Sequence, residues 1–264
     1  MRTALHQPIG VFDAGIGSYA IVQEIHRHYP QQDILYLADR ASFPYGAKTR
    51  DALKASVNRA ITRLTDLGAC TVVLASNAPS VMVLDDIRKE HTTPIFGVLP
   101  PARQALEQSA SGVVAILGVD SLINSAEIRR YVGSEAQGAP IALVNASPLV
   151  QLVESGRFLS DPAATQVAMD AFMHTLCKDF PGLDTCTLSS THLPWLRVFF
   201  ERAAPDIYFL DPAKTLVPAL RPFISSGIGA TVCLATESEQ LPISGLQNML
   251  KRLGVNLMPQ LISL

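Results

Sequence analysis

Basic clusters, long apolar runs and paired cysteines are all missing from this chain of 264 residues. Its 21 Lys+Arg and 23 Asp+Glu leave a net charge of −2, and the basic residues are scattered. An electrostatic nucleic-acid partner is therefore not expected. The longest apolar runs, such as Val113-Val-Ala-Ile-Leu-Gly118, are strand-sized. A membrane-spanning helix needs about 20 apolar residues, so no membrane partner is expected either. The opening Met1-Arg-Thr-Ala-Leu-His-Gln-Pro8 has no apolar core of signal-peptide length, and a cytoplasmic location is the resulting expectation.

The four cysteines, Cys70, Cys177, Cys186 and Cys233, form no C-x-x-C pair and stand at no metal-ligand spacing from a histidine. That disfavours both a structural zinc and a disulfide scaffold. Cys70, Cys186 and Cys233 lie in apolar runs and read as buried, inert thiols. The expectation is a site with no metal and no organic cofactor.

What the chain does have is alternation. Short apolar runs recur at 9–12, 34–37, 72–74, 113–117, 141–144, 185–188, 207–210 and 232–234. Longer helical patterns separate most of them, such as Leu53, Val57, Ala60, Ile61 and Leu64 between Arg50 and Leu67. Strands alternating with helices predict an α/β fold with mostly parallel sheets. Two stretches echo each other: Thr71-Val-Val-Leu-Ala-Ser76 and Thr185-Cys-Thr-Leu-Ser-Ser190, each followed shortly by a proline. The echo predicts two pseudo-symmetric lobes, each a sheet flanked by helices, with the ligand site in the cleft between them. Three prolines between Pro94 and Pro101 mark the crossing, and the return falls near Pro205 to Pro212. The first lobe is thus expected to hold residues 1–97 plus 206–264, and the second 98–205.

Ligands in open α/β sheets sit beyond the carboxyl ends of strands. Five strand-end stretches follow: Asp13-Ala-Gly-Ile-Gly-Ser18, Phe43-Pro-Tyr-Gly46, Ser76-Asn-Ala-Pro79, Glu154-Ser-Gly156 and Ser190-Thr-His192. Taken singly, Asp13 reads as a helix N-cap, His192 as a satisfied polar residue and Glu154 as a solvated helix-end charge. Their joint placement gives them a second meaning, as one polar cluster. Gly15-x-Gly17 lacks the third glycine of a dinucleotide loop, and Asp13 would set a carboxylate beside the pyrophosphate. The two glycines then serve a tight turn. A Ser-His-Asp hydrolase reading has Ser76, Ser190, His192 and Asp13 available but no G-x-S-x-G elbow. Nor is a histidine two residues from a serine expected to point at its hydroxyl.

In this order and spacing, the set Val11-Phe-Asp-Ala-Gly-Ile-Gly17, Leu37-Ala-Asp39, Pro44-Tyr-Gly46 with Lys48, Ser76-Asn77, Phe96-Gly-Val98, Val153-Glu-Ser-Gly156, Thr191-His-Leu-Pro194 and Leu210-Asp211 resembles the glutamate racemase family, within the aspartate/glutamate racemase superfamily. The likeness spans nearly the whole chain. It implies cofactor-independent racemisation of an acidic amino acid, glutamate first and aspartate second. Family members remove the α-proton with a cysteine on one face and return it with a cysteine on the other. A thiol near pKa ~8.5 can be tuned for such work.

By this resemblance Ser76 and Ser190 stand at the thiol positions, with Asp13, Glu154 and His192 as their helpers. Backbone N–H groups near Pro44, Tyr45 and Gly46, together with Asn77 and Thr191, would hold the substrate carboxylates. A homodimer is usual in the family. The departures are equally specific: serines replace both thiols, Ala14 replaces a serine, Ala78 a threonine, and Ser189 stands where glycine is usual. A serine hydroxyl is far less acidic than a thiol, so weak racemase activity is expected. A silenced enzyme, a ligand-binding pseudoenzyme and a divergent isomerase or lyase acting on a related small acid all remain open at this point.

Overall fold

A computed structural model describes residues 5–264. Among the described residues ten strands form two sheets: β1 (Ile9–Asp13), β2 (Ile34–Asp39), β3 (Thr71–Leu74), β4 (Ile95–Gly97), β5 (Val114–Gly118), β6 (Ile141–Asn145), β7 (Thr185–Leu188), β8 (Tyr208–Leu210), β9 (Thr231–Thr236) and β10 (Gln260–Leu261). The first sheet has the order β10-β9-β2-β1-β3-β4 and the second β6-β5-β7-β8. Every pairing is parallel. The order β2-β1-β3-β4 is repeated, four strands later in the chain, as β6-β5-β7-β8, and this is the two-lobed α/β architecture the echo predicts.

The helices follow from apolar spacing and caps. In helix Arg50–Asp66 the residues Leu53, Val57, Ala60, Ile61 and Leu64 are all buried, while Thr49 caps its start by accepting the Ala52 N–H. Each large side chain so buried contributes about 1.5–3 kcal/mol. Two predicted helices are divided. The stretch 121–132 splits into Asp120–Ile123 and Ala126–Glu135, because Ser125 caps the second by accepting the Ile128 N–H. The stretch 81–89 splits at Val83, whose φ of −131° is not helical.

Three sequence expectations need correction. β8 extends the second sheet beyond the expected return at 206, since Thr185 pairs with Tyr208 and Thr187 with Leu210. The short edge strands β4 and β10 carry too few residues to show an apolar period. Cys70 is exposed rather than buried, because it lies in the connection ahead of β3. Among the described residues no helix is long and apolar enough to cross a membrane.

The two lobes share a core. One apolar cluster includes Val11, Tyr36 and Val73 from the first sheet and Leu117, Cys186 and Leu188 from the second. The Trp195 indole N–H, donating to Gly17 O at 3.2 Å, adds a polar tie across the same junction.

Candidate active site

The echoing strands deliver their serines in the same way. Beyond β3 the Ala75 N–H donates to Phe12 O at 2.8 Å, and beyond β7 the Ser189 N–H donates to Leu117 O at 2.8 Å. Both chains therefore stay in the sheet until the residue before the serine, and Ser76 and Ser190 enter the cleft at matching points. The cleft holds a cavity of about 300 Å³ lined by both serines. Asp13, Ala14, Pro44, Tyr45, Gly46, Asn77, Ala78, Thr191 and His192 also line it. Glu154 does not: it stands behind His192. Among the described residues no Lys or Arg side chain lines the cavity, so an anionic ligand here would depend on N–H and O–H donors.

On the Ser190 side, three groups form a chain. Ser190 Oγ lies 3.4 Å from His192 Nδ1, so the histidine does point at this hydroxyl, against the sequence expectation. The short turn that follows β7 folds the ring back over Ser190. His192 Nε2 lies 2.6 Å from Glu154 Oε1, which also accepts the Ile16 N–H at 2.9 Å. Burial disfavours the charged histidine, but the Glu154 carboxylate outweighs it and raises the His192 pKa. Burial likewise acts against ionised Glu154, yet His192, the Ile16 N–H and Arg40 together hold its pKa below the ordinary value. The two directions agree on an imidazolium–carboxylate pair.

Gly15 and Gly17 are required by this pair rather than by a nucleotide. A Cβ at Gly15 would collide with Glu154 Oε1 and lie 2.9 Å from His192 Nε2. A Cβ at Gly17 would lie 2.7 Å from His192 Nδ1.

The Ser76 side differs. Burial pushes Asp13 up to about 6, opposed by the His192 charge, the Ala14 N–H and the neighbouring Ser76 hydroxyl. Asp13 thus faces Ser76, while Glu154 serves the Ser190 side. Asn77 donates its Nδ2 to Val98 O at 2.9 Å, which leaves Oδ1 buried without a partner. The amide uses only one of its two Nδ2 protons on Val98, so Asn77 has both a donor and the Oδ1 acceptor left. The unpartnered Oδ1 can accept from an N–H donor.

The Pro44-Tyr45-Gly46 turn is anchored from below. The Tyr45 hydroxyl donates to Asp39 Oδ2 at 3.1 Å, and Thr236 Oγ1 donates to Asp39 Oδ1 at 2.9 Å. A Cβ at Gly46 would collide with Ser121 Oγ, so the turn reaches the other lobe only because glycine stands there. Sequence reasoning missed Asp120, Ser121, Ser147 and Gln151, which complete the second-lobe wall. The signal was available, since Asp120 and Ser147 follow the carboxyl ends of β5 and β6.

Comparison with known proteins agrees with this architecture. Residues 18–220 match the family described as Asp/Glu/Hydantoin racemase. The glutamate racemase of Deinococcus radiodurans is 34% identical over 229 residues, covering 86% of this chain and 77% of that protein. Among solved structures, a glutamate racemase isoform from Bacillus anthracis superposes with a TM-score of 0.85 at 21% identity, covering 98% of each chain. The glutamate racemase of Thermus thermophilus, solved with β-chloro-D-alanine, gives a TM-score of 0.77 at 26% identity, covering 97% of each chain. A repeated parallel sheet, a cleft entered symmetrically by two strand ends and this extent of likeness together place the chain in the glutamate racemase family, within the Asp/Glu/Hydantoin racemases.

Proposed function

We propose that the cleft binds an acidic amino acid, glutamate first and aspartate second, and exchanges its α-proton without a cofactor. The observation that carries this reading is the placement of Ser76 and Ser190 at matching ends of β3 and β7, each backed by its own acid–base group. Inversion at Cα requires a base on one face and an acid on the other. Above pH about 6 the Asp13 carboxylate is ionised and can draw a proton through Ser76. On the opposite face the His192 imidazolium, held by Glu154, can return one through Ser190. Asn77 Oδ1 would accept from the α-ammonium, and N–H groups of the 44–46 turn with the Thr191 hydroxyl would hold carboxylates.

In this reading Ser76 and Ser190 occupy the positions where relatives keep thiols. A thiol titrates near ~8.5, and a serine hydroxyl is far weaker as an acid, so turnover in this chain is slow. The hydroxyls themselves favour a second reading, a protein that binds its amino acid without turning it over. In that case ligand raises the melting temperature while Cα keeps its proton.

The test is Cα proton exchange in D2O, followed by NMR on both enantiomers of glutamate and aspartate. The chain is compared with the Ser76→Cys/Ser190→Cys double variant. Exchange that rises by orders of magnitude in the double variant supports the assignment, and either single change restores only part of the two-way reaction. A folded double variant that binds glutamate yet shows no gain would sink it.

A further inference from the structure

The second-lobe wall of the cleft carries a carboxylate of its own. Asp120 lines the cavity two residues beyond β5 and is exposed. A ring of three hydrogen bonds fixes it there. The Asp120 N–H donates to Ser147 Oγ at 2.9 Å, the Ser147 N–H to Asn145 Oδ1 at 2.9 Å, and Asn145 Nδ2 to Asp120 Oδ1 at 3.0 Å. Asn124 Nδ2 donates to the same Oδ1 at 2.9 Å. Among the described residues no donor is bonded to the other oxygen, Oδ2, and Asp120 makes no ion pair. The next residue, Ser121, is the one that Gly46 abuts, so Asp120 belongs to the part of the wall that meets the 44–46 turn.

The cleft is therefore rich in acceptors and poor in positive charge. Glu154 balances the His192 imidazolium, and Asp13 is ionised above pH about 6. Asp120 adds a further carboxylate to the lining. A side-chain carboxylate set against the 44–46 turn would meet Asp120 as a like charge. A side-chain amide carries no charge and two N–H donors. Its oxygen can take the N–H groups of the turn while its nitrogen donates to Asp120 Oδ2. Glutamate brings one donor group, its ammonium, to the two open acceptors Asn77 Oδ1 and Asp120 Oδ2, whereas glutamine brings two. We infer that Asp120 is a specificity-determining residue, through which the cleft binds glutamine, whose side chain ends in an amide, alongside glutamate. The inference rests on the reading of the cleft as an amino-acid site.

The probes are D-glutamate and D-glutamine, titrated by calorimetry into the full chain and into Asp120→Asn. Asparagine keeps an oxygen for Asn124 and Asn145 and removes only the charge, so the exposed wall stays folded. In the parent, glutamine is expected to bind no more than about threefold more weakly than glutamate. Asp120→Asn should shift the ratio of the two affinities toward glutamate at least about tenfold. A ratio that the variant leaves unchanged, with both ligands bound, would overturn the inference and spare the amino-acid reading. So would a parent that binds glutamate and not glutamine. Binding of neither ligand by either protein would remove the reading and the inference together.

Discussion

Replacing Asp13 by asparagine should stabilise this protein, and only above a particular pH. Asp13 is buried at the end of β1, and its pKa rises from an ordinary 3.8 to about 6. A carboxyl that holds its proton more tightly in the folded state loses stability as pH rises between those two values. At about 1.36 kcal/mol for each pH unit, the rise from 3.8 to about 6 corresponds to about 3 kcal/mol. The cost is absent below 3.8 and complete above about 6. Asparagine keeps an oxygen to accept the Ala14 N–H and carries no charge, so Asp13→Asn removes the cost. Urea unfolding of both proteins at pH about 3.5 and about 7.5 reads it out. The gap should be near zero at the lower pH and should favour the variant by about 3 kcal/mol at the higher. A gap that is the same at both values would refute the reasoning, because the ionised carboxylate would then cost nothing by being buried. The same variant should lose α-proton exchange, which separates stability from chemistry at one position.

Three further outcomes are expected. Gly15→Ala drives a methyl group into the Glu154–His192 contact, and should lower stability by about 1–3 kcal/mol and displace the His192 ring signals in NMR; unchanged signals would mean that the ring has room. Burial works against ionised Asp184, but the Ser109 and Thr185 hydroxyls and the Ser111 N–H outweigh it and bring the pKa down to about 2. Its contribution to stability is present above 3.8 and is lost as pH falls toward about 2, so acid titration of unfolding should be shallower in Asp184→Asn than in the parent. Gly245 lies in the helix Ile243–Arg252, where a Cβ would meet no atom within 4 Å; Gly245→Ala should gain about 0.5–1 kcal/mol in a denaturant melt, and a loss would mean that the site is tighter than it looks.

Much of the architecture was legible because burial on both faces leaves continuous apolar runs. β1, β2, β3, β5 and β7 are each fully buried and each was readable. β4 and β10 were not, since an edge strand of two or three residues has no period to read. At the cleft, Asp13, Ser76, Ser190 and His192 stood out as polar residues at the ends of such runs. Arg40 did not, although it also follows a buried strand, because nothing in the sequence says that its guanidinium turns inward. The pairing of Asp13 with Ser76 and of Glu154 with His192 was likewise invisible. It depends on a helix end, at Glu154, arriving 38 residues before its partner, and only the packed fold sets that distance.

The apolar cluster shared by the two sheets bears on how a ligand gets in. A cleft hinged on a flexible linker can gape freely, but here any swing of one lobe exposes common core. Uncovering about 200 Å² of apolar surface would cost about 5 kcal/mol at about 25 cal/mol per Å². The 43–47 turn, by contrast, meets the second lobe at Ser121 through a single glycine and lies outside that shared cluster. Parting the lobes would therefore cost buried apolar surface in the core beneath the cleft, and that cost is not borne by the turn at its mouth.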